Sequence, residues 1–276
     1  MIVSRTQKIG FSLYAGLVLL VFYFPFFCIL VAALSKRRFF SFPYPQEQMT
    51  TKWFTDALAS PQIIEFVGIS LRIAGLTALC SVTIGFFSAL AYARYRWRGR
   101  QTFQRLVLLP LFFPQSVLGL ALLMWFNFLH ITPAWWTAVI GHTVWIAPIT
   151  TLIISIQAYG LDNSLEEAAR DMGASRWQIL RKITVPLLLP GMISATCFAV
   201  LLSWGNFALS LFTTGADSAL PEWLYARMTS GYQPLVPAVG VLSVAGAILL
   251  VVLLFATVAW TQRRNRRLSA AHAATH

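Results

Sequence analysis

Ser164-Leu-Glu-Glu-Ala-Ala-Arg-Asp-Met-Gly173-Ala-Ser-Arg-Trp-Gln-Ile-Leu-Arg-Lys-Ile-Thr-Val-Pro186 is a polar stretch set between two apolar runs, and it carries helix signals of its own. Ser164 with Glu167 three residues on is a capping box, in which the hydroxyl accepts from the Glu167 N–H and the carboxylate returns to the Ser164 N–H. Leu165, Ala168, Ala169 and Met172 then recur at i, i+3, i+4 and i+7, one apolar stripe on a short helix. Gly173 stands where a left-handed residue ends such a helix. Ser175 and Gln178 form a second box, opening a helix with Trp177, Leu180 and Ile183 that Pro186 ends. The spacing therefore predicts two short helices at an angle within a loop over 158–186. Glu166, Glu167, Arg170, Asp171, Arg176, Arg181 and Lys182 are expected to face solvent or a partner.

Outward from this loop the chain is apolar. A helix needs about 20 apolar residues to cross the hydrocarbon core, and six stretches qualify: Gly10–Leu34, Phe66–Ala93, Leu106–Leu129, Trp136–Gln157, Pro190–Phe212 and Val236–Thr261. The fold class is all-α: a polytopic membrane helix bundle of six transmembrane helices with one two-helix loop. Residues 1–276 read as a single transmembrane domain, without repeats. Six spans put both termini on one side, and that side collects fifteen Lys and Arg, among them Arg94, Arg96, Arg98, Arg100, Arg263, Arg264, Arg266 and Arg267. The other side holds five: Lys36, Arg37, Arg38, Lys52 and Arg227. The positive-inside rule then makes both termini cytoplasmic, with the Lys36-Arg37-Arg38 cluster against the trend.

Composition excludes the other broad classes. Of 276 residues 58% are hydrophobic and 11% charged, against about 45–50% and 25% in soluble domains, so a water-soluble enzyme has nowhere to put its apolar surface. The net charge of +12 is spread over short segments between spans rather than gathered on one face, and in the loop four acids offset four bases. Nothing there would neutralise phosphates, so nucleic acid is not expected as a partner. Cys28, Cys80 and Cys197 lie far apart in apolar runs and read as packing residues.

Glu167-Ala168-Ala169, three residues, Gly173, nine residues and Ile183-Thr-Val-Pro186 resemble the EAA loop of binding-protein-dependent ABC transporter permeases. Val185 stands where that pattern carries Leu. Phe42–Pro45 with Trp53, the Tyr92–Gly99 stretch, and Gly141-His142-Thr143 resemble the spermidine/putrescine-type branch, and the likeness runs from about Trp53 to about Leu253. The resemblance implies a type I importer fold in a bacterial inner membrane. It also implies a second permease subunit, an ABC ATPase dimer that receives the EAA loop in a groove, and a periplasmic binding protein. Glu166, Glu167, Ala168, Ala169, Asp171, Gly173, Ile183 and Pro186 would carry the ATPase contact. The chain has no Gly-x-x-x-x-Gly-Lys-Ser/Thr loop, so no cofactor is expected on it, and ATP with Mg belongs on the partner.

Two competing classes fare worse. An ion-coupled secondary transporter needs buried acids within its spans, but all nine acids fall in loops or at span edges. A membrane enzyme would show a motif such as His-Glu-x-x-His or Gly-x-Ser-x-Gly, and the chain has neither. His130 and His142 are too isolated to read as metal ligands, and neither a metal nor a catalytic residue is expected. Polar residues placed to face a central path are Gln115, Ser116, Asn127, His142, Ser203, Asn206 and Ser210. Trp145 and Trp204 either offer aromatic faces to an amine or belong to a tryptophan belt at the headgroups. Residues 215–235 are expected to form an outer loop that meets the binding protein. In the polyamine branch the resemblance implies adjacent acids in the fifth span, where this chain has Gly205 and Asn206. Either the partner permease supplies the acids and Asn206 packs between helices, or the expected cargo is a small polar solute, an amine-bearing zwitterion such as an aminophosphonate or opine, ahead of a free polyamine.

Overall fold

The computed structural model describes residues 5–36, 49–162, 164–231 and 233–273; Phe42–Pro45, Arg37 and Arg38 lie outside the described residues. Regular structure among the described residues is helical. In chain order it comprises α1 (Arg5–Ala33), α2 (Lys52–Ala59), α3 (Pro61–Ala93), α4 (Arg100–Leu108) running into a 3-10 turn (Leu109–Phe112), and α5 (Gln115–Phe128). Then follow α6 (Trp135–Tyr159), α7 (Ser164–Asp171), α8 (Arg176–Ile179), a π turn (Leu180–Thr184), α9 (Val185–Trp204), α10 (Phe207–Thr213), α11 (Leu220–Thr229) and α12 (Leu235–Ala273).

Five of these stretches are long and apolar enough to cross a membrane: Gln7–Ala33, Pro61–Ala93, Trp135–Tyr159, Arg176–Trp204 and Leu235–Ala256. The third expected span, Leu106–Leu129, is instead a pair, Arg100–Phe112 and Gln115–Phe128, bent by 102°. The cause is local. Phe113 precedes Pro114 and is pushed into extended backbone (φ −87°, ψ 134°), as the residue before a proline commonly is. The helix ends there and restarts.

The fifth span is also displaced from its expected bounds. Pro186 does not end a helix; the chain stays helical from Arg176 to Trp204. Pro186 lacks an N–H and its ring crowds the carbonyl four residues back. The chain accommodates this in the wide π turn Leu180–Thr184 just before it. At the other end the helix stops at Trp204, and Phe207–Thr213 forms the separate α10.

Packing divides the chain into two units, Met1–Ile64 with Leu224–Gly246 and Glu65–Trp223 with Ala247–His276. In the first, α1 leaves nearly its whole apolar surface uncovered, with 11% of its apolar window buried. The start of α2 is tied to the end of α1: the Trp53 indole N–H donates to the Ser35 carbonyl (2.7 Å) and the Thr50 N–H to that of Leu34 (2.8 Å).

The second unit is built on α3, α6 and α9. Val82, Phe86, Ala89 and Leu90 of α3 close on Ile154 and Ala158 of α6 and on Leu188 and Ala195 of α9. Lipid tails are as apolar as these side chains, so close packing rather than water exclusion must hold such helices together. Gly85 shows how close it is. A Cβ there would lie 2.6 Å from the Thr150 Oγ1 and 2.9 Å from the Thr151 nitrogen. The same approach lets Thr150 Oγ1 donate to the Ser81 carbonyl across the two helices (2.6 Å). Of the cysteines read as packing residues, Cys197 is buried, Cys28 half-buried and Cys80 exposed on α3.

Candidate functional site

Two groups of predicted residues come together in the second unit. The first is the 164–186 loop. Here α7 starts at Ser164 itself, whose N–H donates to the Asp162 carboxylate (2.9 Å) in place of the expected Ser164–Glu167 pair. That donor holds the Asp162 carboxyl below its ordinary range. The other end is as read. Gly173 takes φ +81°, its N–H reaches the Arg170 carbonyl (2.8 Å), and the Ala174 N–H reaches that of Ala169 (3.0 Å). Those two bonds are the Schellman pattern. The Ser175–Gln178 box is formed in both directions, at 3.3 and 2.8 Å.

Most apolar side chains of the two helices face outward. Ala169 and Ile179 are the buried residues of α7 and α8. Leu165 (49% exposed), Met172 (82%) and Trp177 (67%) stand outward, with Ala168, Glu167 and Asp171 also exposed. Pro186 is exposed and Ile183 half-buried. Glu166, expected to face outward, turns inward instead. Its Oε1 takes the Arg94 Nη2 at 2.8 Å and the Thr184 hydroxyl at 3.0 Å, while Arg170 lies 3.8 Å from Oε2. The correction has a physical cause: Arg94, at the end of α3, has a side chain only 7% exposed. A charge so enclosed must be paired.

The second group is a polar cluster at the α9–α10 break. His142 on α6 is buried, with Nδ1 2.8 Å from the Ser203 Oγ and Nε2 3.0 Å from the Ser210 Oγ. The Ser210 hydrogen is committed to the Asn206 carbonyl (2.7 Å). Ser210 therefore accepts from His142 Nε2–H, and in the neutral imidazole Nδ1 is then the acceptor for the Ser203 hydroxyl. Asn206 caps α10, its Oδ1 accepting from the Leu209 N–H at 3.0 Å. Four predicted path residues, His142, Ser203, Asn206 and Ser210, thus form one buried network. The others do not join it. Ser116 and Asn127 are exposed on α5, and Gln115, Trp145 and Trp204 are half-buried. Sequence reading missed Arg94 and Thr184, because no spacing links an arginine after one span to a carboxylate beyond two more.

Residues 81–270 match the family described as binding-protein-dependent transport system inner membrane component. The chain belongs to that family. It is 27% identical over 253 residues to the spermidine/putrescine transport system permease protein PotC of Escherichia coli (strain K12), covering 91% of this chain and 93% of PotC. It is 30% identical over 207 residues to the putrescine transport system permease protein PotI of the same strain, covering 72% and 73%. Among solved structures, it is similar to a chain of the bacterial alginate ABC transporter in complex with alginate pentasaccharide-bound periplasmic protein. The TM-score there is 0.64 at 16% identity, over 91% of this chain and 94% of that one.

These findings make the protein a permease subunit of an ABC importer, a multi-pass inner-membrane protein and not an enzyme. The family's own description makes the transport it serves binding-protein-dependent.

Proposed function

We propose that this chain forms half of the translocation path for a small amine-bearing solute and couples that path to ATP hydrolysis through residues 164–186. The observation that carries the coupling role is the outward apolar face of the loop, Leu165, Met172 and Trp177. It is held on two capped helices that bury almost nothing within the chain. Exposed apolar residues rimmed by Glu167, Asp171 and Arg176 suit a protein groove. The occupant of that role is an ABC ATPase dimer, which binds ATP and Mg, and a second permease subunit completes the path. Both termini and the 164–186 loop face the cytoplasm, as the fifteen-to-five distribution of basic residues requires. The spans then rock as the ATPase closes and opens.

The cargo reading rests on charge. PotC and PotI serve polyamines by name, and a di- or tri-cation favours carboxylates along its path. Across 7–33, 61–93, 100–128, 135–159, 176–204 and 235–256 the one acid is Glu65, exposed in the second turn of α3. At the α9–α10 break the Asn206 oxygen already accepts from the Leu209 N–H, which leaves that side chain two N–H donors against one remaining lone pair. Donors suit the anionic group of a zwitterion, such as an aminophosphonate or opine, better than a free polyamine. Competition uptake with spermidine, putrescine and zwitterionic analogues tests this. Zwitterions are expected to compete; potent inhibition by spermidine alone, unchanged in Asn206→Ala, refutes the cargo assignment.

A further inference from the structure

Arg94 holds the start of the 164–186 loop and, through Glu166, reaches its end. Its Nη1 donates to the Leu161 carbonyl (3.0 Å), where the chain leaves α6, and its Nη2 pairs with Glu166 on α7 (2.8 Å). The same Glu166 oxygen accepts from Thr184 (3.0 Å), the last residue of the π turn that leads into α9. One buried guanidinium thus connects the end of α3, the exit of α6, the helix α7 and the entry to α9. The π turn inserts an extra residue in that stretch and brings Thr184 round to the inner face, where it is 4% exposed. Apolar packing does little to fix α7. Ala169 is its one buried residue, and the helix borders a cavity of about 510 Å³ lined by Arg94, Arg96, Glu166, Arg170 and Arg176. A helix of eight residues over open space follows whatever it is tied to.

We propose that Arg94, through Glu166 and Thr184, is a positioning residue that makes α7, α3 and α9 one mechanical body, so that movement of the loop becomes movement of the spans. This rests on the reading of the loop as the ATPase contact. A charge-assisted, multiply bonded buried pair suits such a joint, because hydrogen bonds to ionised groups are the strong ones and removing one partner strands the other.

The test uses the assembled importer in nanodiscs, on a background with Cys28, Cys80 and Cys197 replaced. Spin labels at Ser164→Cys and Phe87→Cys report the α7–α3 distance, with and without MgATP and vanadate. Met172→Cys, cross-linked to the ATPase, reports docking. In the parent the distance is narrow and the same in both states. In Arg94→Ala, and more mildly in Thr184→Val, docking persists, but MgATP with vanadate shifts the distance by roughly 2 Å or more and broadens it. The exchange Arg94→Glu with Glu166→Arg narrows it again. An Arg94→Ala distance that stays narrow and unmoved while Met172→Cys still cross-links overturns the role of Arg94. No cross-link at Met172→Cys in the parent overturns the coupling reading, and the role of Arg94 with it.

Discussion

Gly173→Val isolates one quantity, the cost of a left-handed residue at the end of α7. Gly173 has φ +81°, and a Cβ added there meets no atom within 4 Å. Overlap of the Cβ with neighbours therefore contributes nothing, and backbone strain is the leading effect. An L-residue in the left-handed region costs about 1–2 kcal/mol, with valine at the upper end because it is branched at Cβ. Asparagine visits that region at much lower cost. If the backbone escapes the strain by leaving φ +81°, the bonds from Gly173 to Arg170 (2.8 Å) and from Ala174 to Ala169 (3.0 Å) go with it. Either way the population of the ordered α7 terminus falls by about 5- to 30-fold in Gly173→Val, and by much less in Gly173→Asn. Hydrogen exchange at the amides of Gly173 and Ala174 reads that population directly, and ATPase retention on the purified permease reads its consequence. Both should fall in the order Gly, Asn, Val. Equal protection and equal retention in the Asn and Val variants would show that φ at this position does not hold the loop's shape.

Removing the imidazole at the α9–α10 break should destabilise the second unit: His142→Phe keeps a ring but strands the Ser203 hydroxyl and takes the donor from the Ser210 oxygen, a loss of about 1–3 kcal/mol. Thermal unfolding in detergent measures it, and a parental midpoint would mean the clasp contributes nothing. Burial pushes the Glu222 carboxyl up to about 6, against a lowering by the Thr214 hydroxyl (2.7 Å). The folded state thus favours the protonated acid. The stability it adds is full below about pH 4.5 and is lost as pH rises through about 6, on the order of 1 kcal/mol for a group still part-exposed. Glu222→Gln should flatten the melting curve over that window, and an unchanged slope would assign the titration elsewhere. For the topology, a membrane-impermeant thiol reagent on intact cells should label Tyr225→Cys and leave Ser269→Cys untouched, on the cysteine-free background. The reverse pattern overturns the charge count.

What hydropathy reads, it reads through runs of apolar residues, and it is blind to whatever happens inside a run. Trp136–Gln157 and Phe66–Ala93 were legible to within a few residues because those helices are uninterrupted over Pro61–Ala93 and Trp135–Tyr159. Leu106–Leu129 was not, since the residues on both sides of Phe113–Pro114 are equally apolar and the 102° bend leaves the average unchanged. Pro186 misled in the opposite sense. A proline after a short amphipathic helix reads as a stop, but a π turn ahead of it lets the helix pass. In the loop, local signals were legible where the partner is local: the Ser175–Gln178 box and the Gly173 cap both join residues within five positions. Glu166 was misread because its partner is Arg94, and periodicity places a side chain on a face without saying what lies against that face.

That distinction explains why a segment with so little buried surface holds a defined shape. Eight residues are too few for an isolated helix in water, and α7 buries one alanine. Its order must come from polar groups instead: the Asp162 carboxylate at its start, the Arg94–Glu166–Thr184 junction along one side, and the left-handed glycine at its end. None of these uses Leu165, Met172 or Trp177. Had the apolar stripe served to pack α7 onto its own chain, it would have been covered, and the loop would have had nothing to offer a partner. With order supplied by charge and caps, the apolar face stays free without the helix melting. The same arrangement makes the loop's shape sensitive to single polar substitutions, while leaving Leu165, Met172 and Trp177 replaceable without loss of the fold, so the two classes of variant should separate shape from docking.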